Sequence, residues 1–149
     1  MKETFMKYLM EIGITGDLYK RVEAIYHFYE KIIKEEIIVL FISEYITKDG
    51  TREYEHLVFF SENYAMSAKE FIKMDLFDCI IYKKRIIRWE INKKNYDFVK
   101  AKENSRMNLV FTFETAIEIN SFDLKASKEN CDYLKDLFNN IVVPNMLLE

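Results

Sequence analysis

Glycine and proline are scarce, with three glycines and one proline in 149 residues. So little of either leaves small room for long flexible linkers. With only Gly13, Gly16 and Gly50 to use, neither of the glycine-rich phosphate-cradling fingerprints is present. The two cysteines, Cys79 and Cys131, lie far apart and outside any C-x-x-C context, so they read as reduced packing residues of a cytoplasmic protein. Histidine occurs twice, at His27 and His56, without an H-x-x-x-H or H-E-x-x-H spacing. A metal site needs three or four converging ligands, and none is expected here. Ser61 stands in FFSEN and not in a G-x-S-x-G elbow. No catalytic residue, metal or cofactor is therefore expected.

Long apolar runs are missing too. No stretch of about 18 apolar residues is present to span a bilayer. The opening MKETFMKYLMEIG contains acids and no uninterrupted apolar core, unlike a secretory signal. A net charge of −3 provides no global field toward nucleic acid or an anionic membrane.

What the chain does have is apolar bulk, with 50% hydrophobic and 15% aromatic residues. One domain with a full core is expected, since a chain of this size buries roughly 70% of its unfolded surface. Its centre is EIIVLFISEYITKDGTREYEHLVFFS, residues 36–61. Two β-rich runs, Ile37–Thr47 and Thr51–Phe60, flank Asp49-Gly50, a dipeptide suited to a type I′ turn. A two-residue turn puts Ser43 on a face with Tyr54, His56, Val58 and Phe60. It puts Glu44 on the other face, opposite Glu55, where the charged end meets water. A three-residue loop with Gly50 in a bulge shifts every pairing by one and removes that like-charge contact. Away from the turn both faces are apolar, so both need cover.

The N-terminal segment 1–35 reads as helical. Phe5, Tyr8, Leu9 and Ile12 form one stripe stopped by Gly13. Asp17 is placed to cap a second helix with Leu18, Val22, Ile25, Tyr26, Tyr29, Ile32 and Ile33 on its apolar side, ending near Lys34 or Glu35. After the hairpin, Tyr64, Met66 and Ala68 alternate as a short strand, although a helix started by Ser61 fits the same letters. Phe77–Tyr82 and Ile86–Ile91 read as strands joined by Lys83-Lys84-Arg85. Residues 92–106 are polar and loop-like. Met107–Glu114 forms a strand, Thr115-Ala116 a tight connection, and Ile117–Leu124 a last strand bulged near Ser121. Ser127 is placed to cap a helix with Cys131, Leu134, Leu137, Phe138 and Ile141 on one face, ending before Pro144.

The whole is an α+β chain with about seven antiparallel strands over 36–126 and a C-terminal amphipathic helix over 127–143. From residue 36 onward the order of elements resembles a pleckstrin-homology-type barrel, two bent sheets plugged by the last helix. An open antiparallel sheet packed on helices gives nearly the same string. In phosphoinositide-binding members of that group the basic signature lies on the first hairpin. Here that loop is KDGTRE, where Lys48 and Arg52 are diluted by Asp49, Glu53 and Glu55. Lipid headgroup binding is not implied.

One local anomaly stands out. Lys83, Lys84, Arg85, Arg88, Lys93 and Lys94, followed by Lys100 and Lys102, are interleaved with Tyr82, Trp89 and Tyr96. Basic and aromatic residues together hold phosphates and stack bases, which makes this segment a candidate anion or nucleic-acid site. The commoner role of such residues is to solubilise a turn while Trp89 points into the core, and the acidic remainder of the chain favours that role. The sequence thus points first to a non-enzymatic interaction module for a protein, a peptide or another copy of itself. Polyanion binding through 82–102 comes second, and an enzyme with scattered acids third.

Overall fold

The computed structural model describes residues 1–46, 51–69, 71–72, 78–83, 86–97, 102–114 and 119–146. Helices α1 (Glu3–Glu11) and α2 (Gly16–Ile33) precede strands β1 (Val39–Ile46), β2 (Arg52–Phe60), β3 (Tyr64–Lys69) and β4 (Asp78–Lys83). Strands β5 (Ile86–Asp97), β6 (Lys102–Glu114) and β7 (Ile119–Ser127) follow, then helices α3 (Asn130–Leu137) and α4 (Val143–Met146) with a π-helical turn, Phe138–Val142, between them. Among the described residues the strands make two antiparallel sheets, in the orders β1-β2-β3-β4 and β5-β6-β7. The chain divides into two compact units, Met1–Ile42 with Tyr54–Lys84, and Ser43–Glu53 with Arg85–Glu149. The expected Asp49-Gly50 turn, its register and the Thr115-Ala116 connection lie outside the described residues.

In the first unit α1 and α2 pack on the first sheet, Tyr8 against Phe41 and Tyr26 and Tyr29 against Phe59. The stripe Phe5, Tyr8, Leu9 and Ile12 is buried as its spacing requires. After Glu11 the chain stops in a Schellman turn: Gly13 N–H donates to Met10 C=O and Ile14 N–H to Leu9 C=O. Gly13 takes φ +89°, which glycine adopts without a Cβ penalty, and an added Cβ would meet Tyr54 Oη at 3.3 Å. Three tyrosines tie the layers together by their hydroxyls. Tyr8 Oη accepts from Ile42 N–H at 2.9 Å, Tyr29 Oη donates to Ser67 C=O at 2.6 Å, and Tyr54 Oη donates to Ile12 C=O. Their rings supply apolar area, with Tyr8 stacked on Phe41 and Tyr29 set edge-on to Phe59. Glu35 pins the β2–β3 turn by accepting from Ser61 Oγ, Asn63 N–H and Asn63 Nδ2.

Several boundaries differ from the sequence expectation, each for a local reason. Thr15, not Asp17, is the N-cap of α2; Asp17 lies in the first turn, where a carboxylate still favours the helix dipole. The loop expected over 92–106 is shorter: β5 runs on to Asp97 and β6 begins at Lys102, with 98–101 outside the described residues. Polar composition hid a ladder whose register runs to the pair Asp97–Lys102. No register break falls in β7 near Ser121; the shifts lie in β5, between Ile86 and Arg88 and between Lys94 and Tyr96. Ser127 is the last residue of β7 and not a helix cap. The C-terminal helix also continues past Pro144. Proline offers no N–H and its ring crowds the carbonyl four residues back, and the turn just before it widens to a π-helix.

Candidate functional site

Chemistry-bearing residues share one register row of the first sheet. His56 pairs with Lys69, and Lys69 with Asp78. His56 is buried, and burial, aided by the charge of Lys69, lowers its pKa to about 4. An imidazole so depressed stays neutral at pH 7 and is a poor general base there, since efficient proton transfer needs a pKa near the working pH. In the next row Ser67 is buried with its Oγ free of hydrogen bonds among the described residues. Val58, its partner in that row, is likewise fully buried. This is a buried face with the His56–Lys69 row at its margin. His27, as its position off the apolar stripe requires, is exposed, with Nδ1 3.5 Å from Glu30.

In the second unit Glu44 overturns its expected contact with water. Its side chain is buried, accepting from Ser127 Oγ at 2.5 Å and Asn130 Nδ2 at 2.8 Å. Ser43 beside it accepts from Lys125 N–H at 2.9 Å. The two residues thus fasten β1 to the outer edge of β7 and to the first turn of α3, where a carboxylate meets the positive end of the helix dipole. The role is structural: every contact named here joins one part of the fold to another.

The basic segment is divided by the pleat of the second sheet. Rows run Arg88–Thr112–Ser121, Glu90–Val110–Asp123, Asn92–Asn108–Lys125 and Lys94–Arg106–Ser127. Between them run Trp89–Phe111–Phe122, Ile91–Leu109–Leu124 and Lys93–Met107–Ala126. On β7, Ser121, Asp123 and Lys125 are exposed while Phe122, Leu124 and Ala126 are buried. Arg88 and Lys94 therefore occupy register positions of one set and Trp89 and Lys93 of the other. The interleaving seen in sequence is split between alternate rows. Lys83 ends β4, and Lys84 and Arg85 lie outside the described residues.

Among the described residues no group of three or more His, Cys, Asp or Glu is placed to hold a metal, and no helix is long and apolar enough to cross a membrane. The remaining feature is apolar surface left in water. On α1, Met6 and Met10 are exposed, Met10 by 69%. On α2, Phe28 is 47% and Ile32 49% exposed. Each pair is spaced i, i+4 and so forms one patch on its helix. Ile32 was expected in the core stripe; Val22, Ile25, Tyr26 and Tyr29 fill that face without it.

No protein-family model, curated protein or solved structure matches this chain. The functional reading therefore rests on its own residues.

Proposed function

We propose that this chain is a non-enzymatic interaction module that binds a polypeptide: a protein, a peptide or a second copy of itself. The observation that carries the reading is the exposed apolar pairs on the N-terminal helices, Met6 with Met10 and Phe28 with Ile32. Large apolar side chains set in pairs on helices, next to a core that does not use them, are what a contact surface requires. Part of the proposal is architectural and cellular: a pleckstrin-homology-type barrel of seven strands plugged by the last helix, working in the cytoplasm, a reading based on the order of elements and the cysteine usage.

The test is photo-crosslinking. A benzophenone amino acid placed at Phe28 or at Met10 should yield adducts with a polypeptide when the chain is expressed in cells. The same probe at His27 or Glu30, exposed positions of α2 that are not three or four residues from Phe28 or Ile32, supplies the background. Adducts at 28 and 10 no stronger than that background would refute the reading. Polyanion binding through Lys83, Lys84, Arg85, Arg88, Lys93 and Lys94 is the second reading, favoured by one register fact: Lys94 pairs with Arg106, and Lys125 stands in the adjacent same-face row.

A further inference from the structure

The exposed side of α2 is sorted by charge as well as by polarity. At 3.6 residues per turn its side chains follow around the helix as Lys20, Lys31, Ala24, Phe28, Arg21 and Ile32. Arg21 is half-buried and the other five are exposed. Asp17 shares this arc but stands in the first turn, at the far end of the helix from Ile32. Lys34, the exposed C-cap, continues the arc beyond Lys20. Glu23 and Glu30 lie farther round, beside Tyr26, whose ring packs on Phe5 of α1. Basic and apolar side chains thus share one strip, and the acids are set apart from it.

The apolar part of the strip has the shape of a docking ridge. Ala24, Phe28 and Ile32 form a row spaced by four, the kind of row against which a second helix packs. Ala24 is its small end and leaves room for a large side chain from outside. Arg21 brings positive charge into the row, with Nη1 3.5 Å from Phe71 C=O. Lys20 and Lys31 line the solvent side of the ridge about 16 Å apart along the axis, three turns of helix.

We infer that α2 docks an acidic amphipathic helix of another polypeptide along this strip. This names the partner's chemistry within the polypeptide-binding reading and rests on it. The partner's apolar residues lie on Phe28 and Ile32, a large one fills the dip over Ala24, and its carboxylates face Lys20 and Lys31. Apolar anchors give such a contact its affinity, and the opposed charges give it register and speed of encounter. A second copy fits the strip poorly. An antiparallel twofold pairing of two α2 helices brings like flank to like flank, so lysines would face lysines. A flat anionic bilayer fits poorly as well, because Glu23 and Glu30 border the same exposed side and the chain's net charge is −3. A narrow partner meets the basic strip alone.

Selection from a phage-displayed library of random peptides about 16 residues long, with the full chain as bait, tests the inference. Peptides rich in Asp or Glu, with apolar residues three and four apart, should be enriched. The leading peptide, synthesised and labelled, is then titrated by fluorescence anisotropy. Phe28→Ser should weaken its binding at least about tenfold, and Lys31→Glu several-fold. Replacing the peptide's acids by lysine one at a time should find a position that restores binding to Lys31→Glu. Lys7→Glu, the same charge change on α1, should leave binding unchanged. Melting curves identify a variant that fails to fold; if that is Phe28→Ser, full binding by Lys31→Glu overturns the inference. No enrichment, or enrichment of basic or uncharged peptides, overturns it too. So does pelleting with phosphatidylserine vesicles that Lys31→Glu abolishes, or self-association in sedimentation velocity that Phe28→Ser abolishes. Peptide binding lost in Lys7→Glu and kept in Lys31→Glu overturns the α2 strip while leaving the wider reading to its own crosslinks.

Discussion

Lowering the pH sets the fold against a proton on His56. In the unfolded chain the imidazole titrates near its ordinary value of 6.5, whereas in the fold burial and Lys69 bring it to about 4. Between those values the unfolded state binds more protons than the folded one, so stability must fall as pH falls and level off below pH 4. The loss from this one group is about 2 kcal/mol at pH 5 and about 3 kcal/mol at pH 4 relative to pH 7. Against a total stability of roughly 5–15 kcal/mol that is a large share. The assay is urea unfolding followed by far-UV circular dichroism at pH 7, 6, 5 and 4, for the wild type and for His56→Gln. Exposed carboxylates titrate alike in both, so the difference between the two curves isolates the imidazole. That difference should shift by about 2 kcal/mol between pH 7 and 5, and Lys69→Met should shrink the shift, since the lysine is the second cause. A flat difference would refute the argument, as would a His56 resonance titrating near 6.5 in the folded protein.

Other expectations follow from the hydrogen bonds. Tyr8→Phe leaves the buried Ile42 N–H without the hydroxyl it donates to, which should cost about 1–3 kcal/mol in the same unfolding assay. Glu44→Ala strands Ser127 Oγ and Asn130 Nδ2; a loss of about 2 kcal/mol or more is expected, with the melting temperature as the check. For the basic segment, titration of single-stranded nucleic acid or heparin should show no binding tighter than about 10⁻⁴ M at physiological salt. Saturable micromolar binding that vanishes when Lys83, Lys84 and Arg85 become glutamate would promote the polyanion reading.

Strong periodicity was legible in the letters. Phe5, Tyr8, Leu9 and Ile12 announced α1, Gly13 its end, and Tyr64, Met66 and Ala68 a strand. Polar stretches were read less well, because residues 92–97 and 102–106 form their ladder through backbone bonds that composition does not encode. Glu44 was invisible as a core residue: its partners Ser127 and Asn130 lie 83 and 86 residues away, and no local pattern reports them. Ile32 fell the other way, since periodicity tells which face of a helix is apolar but not how much of that face the sheet fills. The candidate surface on α1 and α2 appears only after the core has been subtracted.

The contacts of Ser43 and Glu44 also have a meaning in time. Synthesis delivers β1 early, yet its bonds to Lys125, Ser127 and Asn130 span 82 to 86 residues and must wait for the chain's last quarter. Closing so long a loop is entropically slow, and contacts of high sequence separation form late. In the first unit the helices and β1–β3 hold partners within the first 69 residues, such as Tyr29 with Ser67. The expectation is a staggered birth, with amides of Val58–Ala68 protected before those of Ser43 and Glu44 in pulse-labelled hydrogen exchange. One strand is thereby folded twice over, its first half early and its second half only when the C-terminal helix arrives.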